Sequence, residues 1–218
     1  MVYHGRPKMP DYQSELHHID RFMRKHKIRF SKIVTLFLLI KEKGPIGRYI
    51  ISKELEIPEG ITRGAVSDFT KMGIIHTIKK GCIISDLGTN LLSEILEKSE
   101  IKKIKDFHFG FLALDRYCAA AQVSQRKNLS VSVLRDKVVK AGASGSIIIS
   151  YERGKLVVPK VYEDLSALFP PLSEKLKKEF SLASGDILVF AFASKAWKAK
   201  EAAISAVIDD DAHLTMTL

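Results

Sequence analysis

Two cysteines in 218 residues, Cys82 and Cys118, are too few for a disulfide framework or a paired Cys-x-x-Cys metal site, and they fit a reduced, cytoplasmic setting. Long apolar runs are also missing. The longest, Ile33 to Ile40, is broken by Thr35 and is far shorter than the ~20 residues of a membrane-spanning helix. The N-terminus is basic but has no apolar signal core, so neither export nor a membrane partner is expected. No internal repeat and no low-complexity tract occurs. Neither a Walker A motif nor a G-x-S-x-G motif is present. The seven histidines are scattered; His17, His18 and His26 fall in one basic helical region and read as surface residues. No catalytic residue, metal ligand or cofactor is expected from this inventory.

What the chain does have is an ordinary globular composition, 46% hydrophobic and 28% charged, with enough apolar material for a packed core. Its length allows one large domain or two of about 100 residues each. The formal net charge of +10 is unevenly placed. Residues 1–105 carry 20 Lys and Arg against 12 Asp and Glu, whereas residues 106–218 carry 15 against 13. A basic excess concentrated in one half is the electrostatic footprint expected of a nucleic-acid-binding domain, although solubility alone also selects basic surfaces.

The basic half contains PIGRYIISKELEIPEGITRGAVSDFTKMGIIHTIKKGCIISDLG, Pro45 to Gly88, which reads as a winged helix-turn-helix. A supporting helix is expected over Ile46–Leu55, a turn at Pro58-Glu59-Gly60, and a recognition helix over Ile61–Met72 that ends at Gly73. Ile75–Ile78 and Cys82–Ser85 read as the two strands of a wing around Lys79-Lys80-Gly81. Before this lie an irregular arm over residues 1–10 and an amphipathic helix over Asp11–Lys25, with Leu16, Ile19, Phe22 and Met23 on one stripe. Such a helix packs on its own domain or builds a dimer interface. Ser31 is the expected N-cap of the next helix, which Gly44-Pro45 stops. Helical spacing resumes over Asp86–Glu100, and the basic segment Ile101–Asp106 is taken as the boundary between domains.

Beyond the boundary, strand-like and helix-like segments alternate. A strand is expected over Tyr117–Val123, a helix over Val131–Ala141, and a hairpin of Ser146–Tyr151 with Lys155–Pro159 around Arg153-Gly154. A helix over Leu172–Phe180, a buried strand over Asp186–Ala193 and a helix over Ala196–Ile208 complete the reading. The fold class is therefore α+β: an N-terminal winged helix-turn-helix over residues 31–100, preceded by the arm and helix of residues 1–30, and a mixed α+β domain over residues 106–218.

On the recognition helix, Thr62, Ala65, Val66 and Phe69 share the core-facing side, so Arg63, Ser67, Thr70 and Lys71 fall outward. Arginine pairs bidentately with guanine, and serine and lysine reach phosphates or base edges. Arg48 at the start of the supporting helix and Lys79 and Lys80 at the wing tip suit phosphate contacts, which fix register without reading sequence. Asp68 weakens the basic face, and a solvated helix face used for protein contact is the competing reading. A second candidate, for a ligand, is Gly142-Ala143-Ser144-Gly145. Small residues there permit close backbone approach, with Gly142, Ser144 and Gly145 as the candidate contacts. The glycines follow a helix rather than precede one, so a helix C-cap and turn competes with a ligand loop. Ser144 has no His or Asp partner at a fitting spacing, and Trp197 reads as core.

The order PIGRY, IPEGITRG, MGII and ISDLGTNLL resembles the winged-helix domain of archaeal transcriptional regulators. The later RDKVVKAGASGS, ERGKLVVP and SGDILVFAFAS resemble a domain of unknown function that is fused to such winged helices in archaea. The resemblance implies a regulator that binds double-stranded DNA as a homodimer, with a C-terminal effector or dimerisation domain that takes a small molecule, and no established reaction. Two other readings stand beside it. One is an enzyme with a fused winged helix, the layout of archaeal riboflavin kinases, although the glycine- and proline-rich substrate loops of those kinases are missing. The other is a winged helix used for protein assembly.

Overall fold

A computed structural model describes residues 12–124 and 130–208. The expected arm of residues 1–10, and Asp11 at the start of the first expected helix, lie outside the described residues. The described residues are mixed α+β, with two separate sheets.

The N-terminal part is helical around one hairpin. Helix α1 (Gln13–His26) buries Leu16, Ile19, Phe22 and Met23, the stripe expected from the sequence. Helix α2 (Phe30–Lys43) is buried almost all round from Phe30 to Ile40 and forms the central post of the molecule. Its N-cap is Arg29, without a side-chain cap bond. Ser31, expected to cap this helix, is instead fully buried inside it, where its carbonyl accepts from the Thr35 hydroxyl at 2.7 Å. Helices α3 (Arg48–Leu55) and α4 (Glu59–Lys71) follow. The turn between them is tighter than expected. It runs through Glu56, whose left-handed φ of 54° closes α3, to Pro58, so that Glu59 and Gly60 already belong to α4.

Strands β1 (Ile75–Ile78) and β2 (Gly81–Ile84) form an antiparallel hairpin. Ile46, expected to open the supporting helix, is extended instead and bridges Cys82 with a pair of hydrogen bonds of 3.0 and 2.8 Å. The hairpin can close onto this segment only because residue 81 is glycine: a Cβ there would lie 2.5 Å from the Ile46 carbonyl. Helix α5 (Asp86–Lys98) is capped by Ser85, whose hydroxyl accepts from the Gly88 amide at 3.0 Å.

The segment expected to be a linker is a strand. Ile101–Asp106 (β3) forms one edge of a five-stranded antiparallel sheet in which it pairs with β4 (Tyr117–Val123). The other strands are β5 (Gly145–Glu152), β6 (Lys155–Val157) and β7 (Ile187–Ala193), in the order β3-β4-β7-β5-β6. Residues alternate across this sheet. Ala121, Val123, Ile148, Val189 and Ala191 face helices α6 (Val131–Lys140) and α9 (Ala196–Ser205). Cys118, Ala120, Ile149, Leu188, Phe190 and Phe192 pack with Phe107 and Phe109 in a second core. That core is closed by Leu165 of α7 (Leu165–Leu168), Leu176 of α8 (Pro170–Glu179) and Phe180.

Helix α9 joins the two parts. It lies on β4 and β7 on one side and on α2 on the other, and a single hydrophobic core runs from α1 through α2 to α9. Trp197 is buried in that core, as expected.

Candidate nucleic-acid interface

Helix α4 is held in place by four side chains and leaves the opposite side free. Thr62, Ala65, Val66 and Phe69 are all buried, and Phe69 sits between Phe22 of α1 and Phe37 of α2 at centroid distances of 5.4 and 5.1 Å. Arg63, Ser67 and Lys71 are consequently exposed along one outward stripe. The Arg63 side chain is 67% exposed, and among the described residues its ion-pair partner is Glu59, at 3.8 Å. An exposed pair of that length holds the guanidinium weakly. Thr70 departs from the expected outward position: it is half-buried and turned to the hairpin, with its hydroxyl 3.3 Å from that of Thr77.

That contact sets the hairpin beside α4, with exposed Lys79 and Lys80 at its tip between the paired Ile78 and Gly81. Arg48 is the exposed first residue of α3. In the hairpin, burial pushes the Cys82 thiol up, and Thr77 and then Arg48 partly offset the rise. On the other side of α4 lies α1, and between them runs an open groove of about 480 Å³, lined by His18, Arg21 and Lys25 of α1 and by Asp68, Lys71 and Met72 of α4 and its end. Arg21 and Lys25 are not among the candidates that the sequence suggests. Their four-residue spacing on an amphipathic helix is the signal that points to them.

The three residues of the other candidate site are arranged differently. Gly142 ends α6 with a φ of +90°, and a Cβ there would meet the Lys198 side chain at 2.8 Å. The Ser144 amide donates to the Phe192 carbonyl at 2.8 Å, and its hydroxyl donates to Asp115, which with the Arg116 amide holds that carboxyl below its usual range. Gly145 opens β5 and packs against Leu114. These are the contacts of a helix end entering a strand, and none of them reaches α4 or the hairpin.

The strongest electrostatics lie where α9 meets α2. Glu201 is buried to 1% exposure and is surrounded by Arg29 at 3.2 Å, Lys32 in direct contact and Lys198 at 4.0 Å. Burial pushes the Lys32 amine down from its ordinary value, while Glu201 pulls it back up. One residue earlier, buried Lys200 reaches Glu42 at 2.7 Å and Asp106 at 3.3 Å and lies 4.3 Å over the Trp197 ring. Beside it, a cleft of about 420 Å³ opens between α2, α3 and α9. Lys195 adds a link to Glu56 at 2.6 Å, in the turn before α4.

Residues 114–210 match a family model described as a domain of unknown function (DUF4443). No curated protein matches the chain. Solved structures with this fold include a hypothetical protein from Pyrococcus horikoshii OT3. It is 23% identical, with a TM-score of 0.64 over 81% of this chain and 89% of that one. Among the described residues, no group of three or more His, Cys, Asp and Glu side chains is placed to hold a metal ion, and no helix is long and apolar enough to cross a membrane.

Proposed function

We propose that this chain is a DNA-binding transcriptional regulator that carries a winged helix-turn-helix over residues 31–100. In this reading α2, the bridging Ile46, α3, α4, the hairpin and α5 are, in that order, the first helix, first strand, supporting helix, recognition helix, wing and closing helix. One observation carries it: a helix anchored by Phe69 and its neighbours offers Arg63, Ser67 and Lys71 outward, with Lys79 and Lys80 on a hairpin alongside. A helix so presented fits the major groove, where Arg63 suits a guanine edge, while Arg48, Lys79 and Lys80 suit the flanking phosphates.

The C-terminal unit is the regulatory part of the proposal. Support comes from α9, which shares a core with α2 and is tied to the turn before α4 through Lys195 and Glu56. A small molecule in the cleft between α2, α3 and α9 would press on the helix that supports α4.

Fluorescence anisotropy with a labelled duplex, measured from 50 to 200 mM salt, tests the reading. Affinity should fall steeply with salt, and removing Lys79 and Lys80 together should flatten the log–log slope by about 1.8, or roughly 0.9 for each phosphate no longer neutralised. Unchanged binding by a variant carrying Arg63→Ala and Lys71→Ala would remove α4 as the recognition helix. Absence of any salt-dependent binding would remove the DNA reading itself.

A further inference from the structure

The hairpin occupies only one flank of α4. The other flank is α1, which lies outside the helix-turn-helix itself. Thr70 turns toward the hairpin, where it meets Thr77, and Asp68 and Met72 turn toward α1. Arg63, Ser67 and Lys71 lie between the two flanks. Phe22 fixes α1 at this distance, since it stacks on Phe69 and would touch a Cβ at Gly64 at 3.8 Å.

Along α1, Ser14, His18, Arg21 and Lys25 are spaced four, three and four residues apart and form one stripe on the side toward α4. They border the 480 Å³ groove whose far wall includes Lys71. Arg21, Lys25 and Lys71 are exposed, and among the described residues none of them is in an ion pair. The neighbouring Arg24, about a quarter-turn round the same helix and outside the groove lining, is held by Asp20 at 2.8 Å. The cations without a carboxylate partner therefore line the groove, Arg21 touching only the His17 ring at 3.5 Å, and the paired one does not. Three cations stand against two carboxylates in the groove, Glu15 and Asp68.

We infer that α1 is a second phosphate-binding flank: Arg21 and Lys25, with Lys71, grip the sugar–phosphate backbone of the duplex whose major groove α4 enters. The inference rests on the DNA reading above and extends it to a helix that reading does not use. Contacts of this kind add affinity and fix orientation but do not choose sequence. The duplex is thus held from both sides, by the hairpin lysines and by α1.

The test compares three variants of the full chain by duplex anisotropy over the same salt range: Arg21→Ala with Lys25→Ala, Lys79→Ala with Lys80→Ala, and Arg24→Ala. All of these side chains are exposed or half-exposed, and thermal melts check that each variant stays folded. The α1 variant should flatten the salt slope by about 1.8 and weaken binding some tens of fold at about 0.1 M salt, equally for duplexes of unrelated sequence. Arg24→Ala should leave the slope within about 0.3 of the parent. A normal slope for the α1 variant, with a flattened slope for the hairpin variant, overturns the α1 inference and leaves the DNA reading standing. An Arg24→Ala effect as large as that of one groove residue also overturns it, because net charge rather than the groove would then be at work. Absence of salt-dependent binding by the parent removes both.

Discussion

Replacing Glu201 with glutamine keeps the shape of the side chain and removes the negative charge that Arg29, Lys32 and Lys198 share where α9 meets α2. Three cations would then face each other around a neutral amide. The cost follows from how deeply each is buried. The Glu201 side chain is 1% exposed, and those of Lys32, Lys198 and Arg29 are 13%, 23% and 38% exposed. Breaking a buried ion pair by removing one partner costs about 3–5 kcal/mol. Arg29 and Lys198 keep some water, and the amide oxygen still accepts one hydrogen bond, so the lower end, about 3 kcal/mol, is expected. In a chain of this size that is a fall in Tm of about 6–12 °C.

The pH dependence carries the sign. Lys32 titrates below the ordinary lysine value of 10.5 because it is buried, so the unfolded chain binds more protons just below that value and stability rises with pH there. Loss of Glu201 lowers Lys32 further. The deficit of the variant should therefore narrow as pH rises toward 10.5, when measured by urea unfolding followed by circular dichroism. A deficit below about 1 kcal/mol at neutral pH, or one that does not change with pH, would refute this account of the junction. As an internal check, Lys32→Met combined with Glu201→Leu should cost less than Glu201→Leu alone, because the most deeply buried of the three cations is then removed with its partner.

Two further outcomes follow from buried polar groups in the sheet. Burial alone would raise the Asp186 carboxyl, but the Ala183 amide, Lys102 and Gln122 hold it below its ordinary value of 3.8. Asp186→Asn should therefore cost about 2 kcal/mol at neutral pH. The difference from the parent should shrink as the pH falls well below 3.8, where the parent aspartate also becomes protonated. Cys118 is pushed up to about 12 by burial, with Asp106 adding to the effect, and burial raises Cys82 as well. A thiol-reactive disulfide reagent at about pH 8 should label neither cysteine in the folded chain and both in denaturant; fast labelling of Cys118 in the folded state would show that the second core opens readily.

The helices and the hairpin are legible in the sequence because their apolar residues recur at 3.6- or 2-residue spacing and punctuating glycines and prolines bound them. The stripe of Leu16, Ile19, Phe22 and Met23 and the burial of Thr62, Ala65, Val66 and Phe69 can be read directly. Strand β3 cannot. Its two isoleucines are three residues apart, because a register shift between Ile101 and Lys103 breaks the alternation, and its lysines are those of a sheet edge that resists pairing with another chain. The charges of α9 are illegible for a different reason. In AWKAKEAAIS, Lys200 and Glu201 look like a solvated face, yet their partners Glu42, Arg29 and Lys32 lie more than 150 residues earlier. The outward face of α4 follows from the spacing of its apolar residues; the flank supplied by α1 needs the packing of Phe22 on Phe69.

Strand β3 also bears on how such a chain can be recombined. The matched family segment begins at residue 114, but Ile101 belongs to the core shared with α2, and Phe107 and Phe109 belong to the core beneath α8. Only Ser99 and Glu100 separate α5 from this strand. A gene fusion that transplanted the matched segment alone would leave behind one edge of the sheet and two aromatic rings of its core. It would also carry away α9 with buried Lys200 and Glu201, whose counter-charges stay on the donor's α2. The two parts of this chain are therefore poor interchangeable modules. Substitutions along α2 and α9 should be inherited as matched sets, with a change at Glu201 tolerated best alongside one at Lys32.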